Sequence, residues 1–196
     1  MIQVDLILKC GGTLRTVSKN EVIFEEQHVP LNYYQVVQGK VKMNNYSENG
    51  KEFIQDIFTA GRSFGEAPLF VNEPYPANAI AISKGIIVQI SKPLFYDMLQ
   101  QFPEVSLELN RSLARRLYYR TLMAPELSSQ NPEKRLSKLL LYLKEQTPTY
   151  NHPFLIELSR QQLADLTGLR VETVIRTIKQ LETKSFLKIV KGKIYL

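Results

Sequence analysis

The spacing of hydrophobic and polar positions changes near residue 103. Before it, "EVIFEEQ", "NYYQVVQGKVKMNNYS", "KEFIQDIFTAG" and "AIAISKGIIVQIS" are short, partly alternating runs rich in Val, Ile, Phe and Tyr. That is the pattern of half-buried strands. Gly39-Lys40, Asn49-Gly50, Gly61, Pro74 and Pro76 separate them. Asn49-Gly50 is a strong hairpin signal, because both residues tolerate positive φ. Several short strands at this spacing predict an antiparallel sandwich or barrel of the jelly-roll kind.

Beyond Pro103 the period becomes helical. "EVSLELNRSLARRLYYRTLMA" sets Val105, Leu109, Leu113 and Leu117 on one apolar stripe, with Leu107, Ala114 and Leu122 on a second line. Pro103 suits a first helical position, and Pro125 is expected to end the helix. About 20 helical residues span roughly 30 Å, long for a cover on one small sandwich. Two apolar lines predict packing on the helix's own domain plus pairing with a second copy, with Leu109, Leu113 and Leu117 as expected dimer contacts. A helix that only caps the sandwich is the plainer alternative. Asn131-Pro132 then reads as cap and first residue of an amphipathic helix bearing Leu136, Leu139, Leu140 and Leu143, and "TPTYNHPF" as a loop.

In "SRQQLADLTGLRVETVIRTIKQLE", Ser159 followed by Gln162 is a capping-box pattern that starts a helix near Arg160. Gly168 stands where a tight turn between helices needs no β-carbon. In the second helix Val174, Ile178 and Leu181 form the buried stripe, leaving Glu172, Ile175, Arg176 and Lys179 on the other side. "FLKIVKGKIYL" adds two short strands about a Lys-Gly turn. Helix, glycine turn, helix and basic hairpin together predict a winged helix-turn-helix.

Charge sharpens the picture. The 196 residues carry a net charge of +6, yet residues 1–100 hold 9 Lys+Arg against 10 Asp+Glu, while 101–196 hold 16 against 9. Positive charge confined to one half suggests a polyanion partner for that half, although a solvated basic surface would give the same count. Residues 159–196 hold 8 Lys+Arg and 3 acids, which leaves Glu172 and Arg176 on a face short of other carboxylates. Ile175 sits among these charges, and Arg170 is a poor N-cap with its charge at the positive end of the helix dipole. A groove lined with phosphates explains all three. Arginine donates to guanine O6 and N7, glutamate accepts from cytosine N4, and an apolar side chain meets a thymine methyl. Glu172, Arg176 and Ile175 are therefore the expected base readers, and Arg170 and Lys179 the expected backbone contacts.

These residues, following a β-rich domain and one long helix, resemble the CRP/FNR regulators, the family of the cyclic-AMP receptor protein and the fumarate-nitrate reductase regulator. "FTAGRSFGEAPLF" is similar to that family's "GDxxGExxLF" segment, "LNRSLARRL" to its dimerisation helix, and "VETVIR" to its recognition-helix core. The resemblance implies an α+β chain: a cyclic-nucleotide-binding-like barrel over 1–102, a dimerisation helix over 103–125, and a winged helix-turn-helix over 126–196. It further implies a cytoplasmic bacterial homodimer, double-stranded DNA with a two-fold symmetric operator, and RNA polymerase as a partner. Position by position it makes Glu172 and Arg176 base-reading, Thr173 a backbone contact, and Arg160 and Gln161 the polar start of the preceding helix, which approaches phosphates. Val171 stands where the cyclic-AMP receptor branch has a further base-reading arginine, so "VETVIR" is closer to the FNR branch and its "TTG"-type half-site. Ile175 departs from that branch's serine.

The resemblance places an effector pocket around Phe64, Gly65, Glu66, Ala77 and Asn78. In cyclic-AMP-binding members Gly65 and Glu66 would be followed by an Arg-Ser or Arg-Thr pair, and here Pro76 and Ala77 stand there. No Arg or Lys occurs between Arg62 and Lys84. A buried phosphate without such donors loses charge-assisted hydrogen bonds of about 1.5–3 kcal/mol each. Cyclic nucleotide is therefore not expected, Glu66 is read as capping a turn, and the effector is another small molecule or none. Cys10 is the single cysteine, so neither a disulfide nor an iron–sulfur ligand set is expected. No haem ligand is expected either, because His28, the one histidine in the barrel, reads as a surface residue beside Pro30. With only His28 and His152, in separate regions, and no nucleophile–base constellation or phosphate loop, an enzyme is not expected. The opening "MIQVDLILKCGG" is too short and charged for a secretory core, and no apolar run approaches a membrane span. The competing reading is a ligand-responsive signalling dimer without sequence-specific DNA binding.

Overall fold

Two four-stranded antiparallel sheets carry the first of two compact units, Met1–Ala114. The computed structural model describes residues 2–128, 131–145 and 153–196. A short helix α1 (Val4–Lys9) precedes β1 (Thr13–Val17), β2 (Val22–Phe24), β3 (Asn32–Gln38), β4 (Val41–Tyr46), β5 (Glu52–Phe58) and β6 (Ser63–Phe64). Then come α2 (Ala67–Val71), β7 (Asn78–Ala81), β8 (Gly85–Ser91) and α3 (Lys92–Gln101). The strand orders are β1-β8-β3-β6 and β2-β7-β4-β5. Asn49-Gly50 lies in the β4–β5 connection as expected. Gly50 has φ +71, and its N–H donates to the Ser47 carbonyl at 2.8 Å.

Period-two alternation sorts side chains into two cores. Tyr34, Val36 and Ile87 face the space between the sheets, together with Val41, Phe64 and Ala79. Tyr33, Val88 and Ile90 point the other way and are covered by α1, α3 and the following helix through Ile7, Phe95, Met98, Val105 and Leu109. β3 and β8 are thus buried on both faces, which accounts for Tyr33-Tyr34, Val36-Val37 and Ile86-Ile87-Val88 as adjacent apolar pairs and runs rather than strict alternation. Gln35 is buried but satisfied: its amide donates to the Ile2 carbonyl at 2.9 Å and its oxygen accepts from the Tyr33 hydroxyl at 2.9 Å.

The structure corrects the reading of this half as strands alone. Residues 4–9, 67–71 and 92–101 are helical. In α3 only Phe95 and Met98 are fully buried, three apart, too few positions to announce a helical period. The run "AIAISKGIIVQIS" divides between the two sheets, and β1 was missed because only Val17 of its five residues is buried.

Helix α4 (Pro103–Ser128) continues through Pro125, contrary to the expected stop. Proline removes one donor, to the carbonyl four residues back at Thr121. That residue is exposed, and only one turn of helix follows. The stripe along α4 also divides differently from the expectation. Leu109 (4% exposed) is buried in the barrel core and so is not open for a partner, Leu113 is half-buried against that core, and Leu117 is 68% exposed. Leu107, Asn110, Ala114, Leu117, Thr121 and Ala124, alternately three and four apart, are all exposed.

The second unit, Arg115–Leu196, contains the rest of α4, α5 (Pro132–Glu145), β9 (Leu155–Ile156), α6 (Arg160–Thr167), α7 (Val171–Thr183), β10 (Lys188–Val190) and β11 (Lys193–Tyr195). Asn131 caps α5, its Oδ1 accepting from the N–H groups of Glu133 and Lys134 at 3.0 and 3.2 Å. Leu136, Leu139 and Leu140 are buried with Leu163, Val174, Ile178, Leu181 and Ile194. Tyr119 of α4 stacks on Tyr142 of α5 at 3.4 Å between ring centroids. The wing has a third strand, β9, which was not foreseen and starts directly after the expected loop. The order is β10-β11-β9, and Phe154 exchanges two 2.9 Å backbone hydrogen bonds with Leu196. The rest of that expected loop, residues 147–152 including His152, lies outside the described residues.

Candidate nucleic-acid interface

The two helices of the expected reading head are fixed by local chemistry. The Ser159 Oγ accepts from the Gln162 N–H at 3.1 Å, and the Ser159 N–H donates to Gln162 Oε1 at 2.9 Å. This reciprocal box satisfies donors that the first turn of α6 leaves open. At the other end Gly168 has φ +68, and the Leu169 N–H donates to the Ala164 carbonyl at 3.1 Å. A left-handed residue there reverses the chain at no steric cost, which sets the α6–α7 turn. Ser159→Ala should therefore cost about 0.5–2 kcal/mol of stability, read as a lower urea midpoint at unchanged slope.

Helix α7 has two chemically distinct sides. Val174, Thr177, Ile178 and Leu181 are buried, and Thr177 satisfies its hydroxyl by donating to the Thr173 carbonyl at 2.7 Å. Glu172, Ile175, Arg176 and Lys179 are exposed, as their spacing predicted. Among the described residues no ion pair joins Glu172 to Arg176, although they stand one turn apart. Ile175 is 42% exposed between them. Arg170 occupies the N-cap with no side-chain capping bond, is exposed, and is unfavourably placed at the positive end of the dipole. Thr173 is half-buried, and Val171 packs against the core rather than projecting.

Two of the expected backbone contacts have partners of their own. Arg160 is partly buried, and its Nη2 donates to the Gly192 carbonyl at 3.1 Å, strapping the start of α6 to the wing turn. Burial lowers the pKa of its guanidinium. Gln161 is exposed and donates to Asp165 Oδ1 at 2.8 Å. The spacing of residues gave no sign of the Arg160 strap, because its partner lies 32 positions away. The wing turn itself, Lys191-Gly192, has φ +50 and +77, the handedness that two-residue hairpins favour. Lys188, Lys191 and Lys193 are exposed around it, and Glu182 accepts from the Ile189 N–H at 2.8 Å, tying α7 to β10.

The residues expected around an effector are placed as follows in the barrel. Phe64 and Ala77 are fully buried in one core, Gly65 has φ +72, and Asn78 is half-buried. Glu66 is 1% exposed, and instead of capping α2 with its side chain it accepts from the Ser63 hydroxyl at 2.9 Å. Asn78 Oδ1 accepts from the Glu26 N–H at 3.0 Å, and the Pro76 carbonyl accepts from Asn45 at 2.7 Å. Arg62 pairs with Asp56 at 2.6 Å. His28 is exposed, 3.4 Å from Glu25. Unforeseen are the rings around this place: Phe24, Tyr34 and Tyr75 join Phe64 in the same core.

A jelly-roll barrel, a long helix and a winged helix-turn-helix with a polar outward face define a two-module regulator class. Comparison with known proteins agrees. Residues 14–102 match the cyclic nucleotide-binding domain, and residues 134–196 the Crp-like helix-turn-helix domain. The chain is 32% identical over 174 residues to the cAMP-activated global transcriptional regulator CRP of Haemophilus influenzae, covering 87% of this chain and 77% of that one. It is 27% identical over 182 residues to the nitrogen fixation regulation protein FixK of Azorhizobium caulinodans, covering 91% and 72%. The solved structure of FixK2 from Bradyrhizobium japonicum superposes with a TM-score of 0.80 at 23% identity, covering 94% of this chain and 92% of that one. The chain belongs to the CRP/FNR family of DNA-binding transcriptional regulators.

Proposed function

We propose that the protein acts as a homodimer that reads a two-fold symmetric operator, with Glu172, Ile175 and Arg176 of each copy in a major groove. The observation that carries this is α7 itself: its apolar side is buried, while a carboxylate and a guanidinium stand exposed and unpaired with each other on its outer side. Arg170, Thr173, Lys179 and the wing lysines would meet phosphates, giving affinity without sequence information. Arg160 and Gln161 keep donors to spare beyond their internal bonds, and each would add a phosphate contact. Two recognition helices about 34 Å apart match successive turns of one duplex face. The exposed seam of α4, centred on Leu117, is the surface that would set this spacing, and RNA polymerase is the expected downstream partner.

The relative in Haemophilus influenzae is described as cAMP-activated. That requirement is not expected here. At the place of the phosphate-binding pair, Pro76 offers no donor and Ala77 is buried in the core, while Arg62 is held by Asp56. Selection of bound sites from random DNA should return a symmetric motif that is unchanged by added cyclic AMP. Recovery of no motif at moderate salt would end the proposal. Arg176→Ala should then weaken operator binding by about 1–3 kcal/mol and relax preference at one base pair per half-site. Uniform weakening across all sequences would make Arg176 a phosphate contact instead.

A further inference from the structure

We propose that this regulator needs no small-molecule effector, because its own aromatic rings fill the space beside Gly65 and Glu66 and hold the barrel in its DNA-binding state. The inference rests on the reading of α7 given above. Phe24 and Tyr75 lie face to face, 3.7 Å between centroids and 9° apart. Phe24 is also 5.7 Å from Tyr34 and 6.1 Å from Phe64, and these two stack at 5.5 Å. Phe24 belongs to one sheet, Tyr34 and Phe64 to the other, and Tyr75 to the segment entering β7, so the group bridges the sandwich. None of the four rings' residues is more than 7% exposed.

Gly65 shows where this stack sits. A Cβ built there would lie 2.7 and 2.8 Å from two Phe24 ring atoms and 3.2 Å from Tyr75. The close approach that a side-chain-free residue permits is thus already taken by the chain itself. The Tyr75 backbone is tied down. Its N–H donates to the His28 carbonyl at 2.9 Å, and its carbonyl accepts from the Gln27 N–H at 2.8 Å. Burial, with the Tyr34 hydroxyl adding to it, raises the Tyr75 phenol well above its ordinary pKa, so the ring stays neutral. A ligand seated against Gly65-Glu66 would have to expel two stacked rings, each burying a large apolar area. A ligand shifts a conformational equilibrium only by its differential affinity for the two states, and a barrel already filled leaves little to gain.

The test uses the full-length protein and operator DNA obtained by selection. Mass spectrometry of the denatured preparation should find no stoichiometric small molecule. Operator affinity measured by anisotropy should change less than about twofold on adding millimolar cyclic AMP or cyclic di-GMP. A gain of about tenfold or more with either, or a stoichiometric co-purifying ligand, overturns the proposal. Tyr75→Ala, checked for folding by circular dichroism, should lower the affinity of the folded fraction about tenfold, and millimolar phenol, the group removed, should restore it. Unchanged affinity, or a loss that phenol leaves in place, overturns the proposal too. Should that variant not fold, the wild-type ligand arms still decide. Wild-type binding only with ligand defeats this inference and spares the proposed function, whereas no operator binding in any arm defeats both.

Discussion

Exchanging Leu117 for glutamate should turn the proposed dimer into monomers in sedimentation and lower operator affinity by about 10²–10⁴-fold. The reason is where α4 is covered and where it is not. Val105 and Leu109 are buried by the barrel of their own chain, whereas Leu117 is 68% and Leu107 52% exposed. The exposed positions from Leu107 to Ala124 recur at alternate steps of three and four, the spacing of a seam between paired helices. Asn110, Ala114 and Thr121 are small enough for close approach there. Glutamate at 117 would set two like charges near a two-fold axis in a desolvated contact. A monomer then engages one half-site and loses the effective concentration that makes the second half-site contact intramolecular. Thermal stability of each chain should hardly move, because Leu117 touches little within it. Leu109→Ala should do the opposite, weakening the fold. A dimer that survives Leu117→Glu with full affinity would place the interface elsewhere.

The second large effect concerns stability. Ile178→Ala should destabilise the Arg115–Leu196 unit by about 2–5 kcal/mol. Ile178 is 1% exposed, in one core with Leu140, Leu163, Val174 and Ile194 from α5, α6, α7 and the wing. Losing those methyl groups leaves a cavity that four separate elements cannot close together. The chain has no tryptophan, so far-UV circular dichroism along a urea series is the appropriate readout. An earlier, separate transition of the helix-rich unit is expected, with weaker operator binding under the same conditions even though Ile178 lies on the buried side of α7, away from Glu172 and Arg176. Coincident transitions at the wild-type midpoint would show that the core repacks.

The reading head was legible because its determinants are local. Ser159 with Gln162, Gly168, and the spacing of Val174, Ile178 and Leu181 specify caps, turn and buried side within a few residues, and the structure reproduces each. The Asn49-Gly50 hairpin and the Asn131 cap were legible for the same reason. Short elements were not. In α1, α2 and β9, six, five and two residues carry too few buried positions to display a period. Leu109 was assigned to the wrong contact because a stripe shows that a helix face is buried without showing by what. The barrel's filling was out of reach: Phe24, Tyr34, Phe64 and Tyr75 come from distant segments, and each alone is an ordinary strand residue.

The stacked Tyr119–Tyr142 pair has a mechanical consequence. It clamps the last turns of α4 to α5, and α5 packs in one core with α7. The C-terminal stretch of the long helix is therefore cargo of the reading head, not a tether to it. A twist applied to the seam near Leu117 would pass through that clamp to the surface bearing Glu172 and Arg176, so loosening the tyrosine pair should uncouple subunit pairing from operator spacing while leaving both surfaces intact.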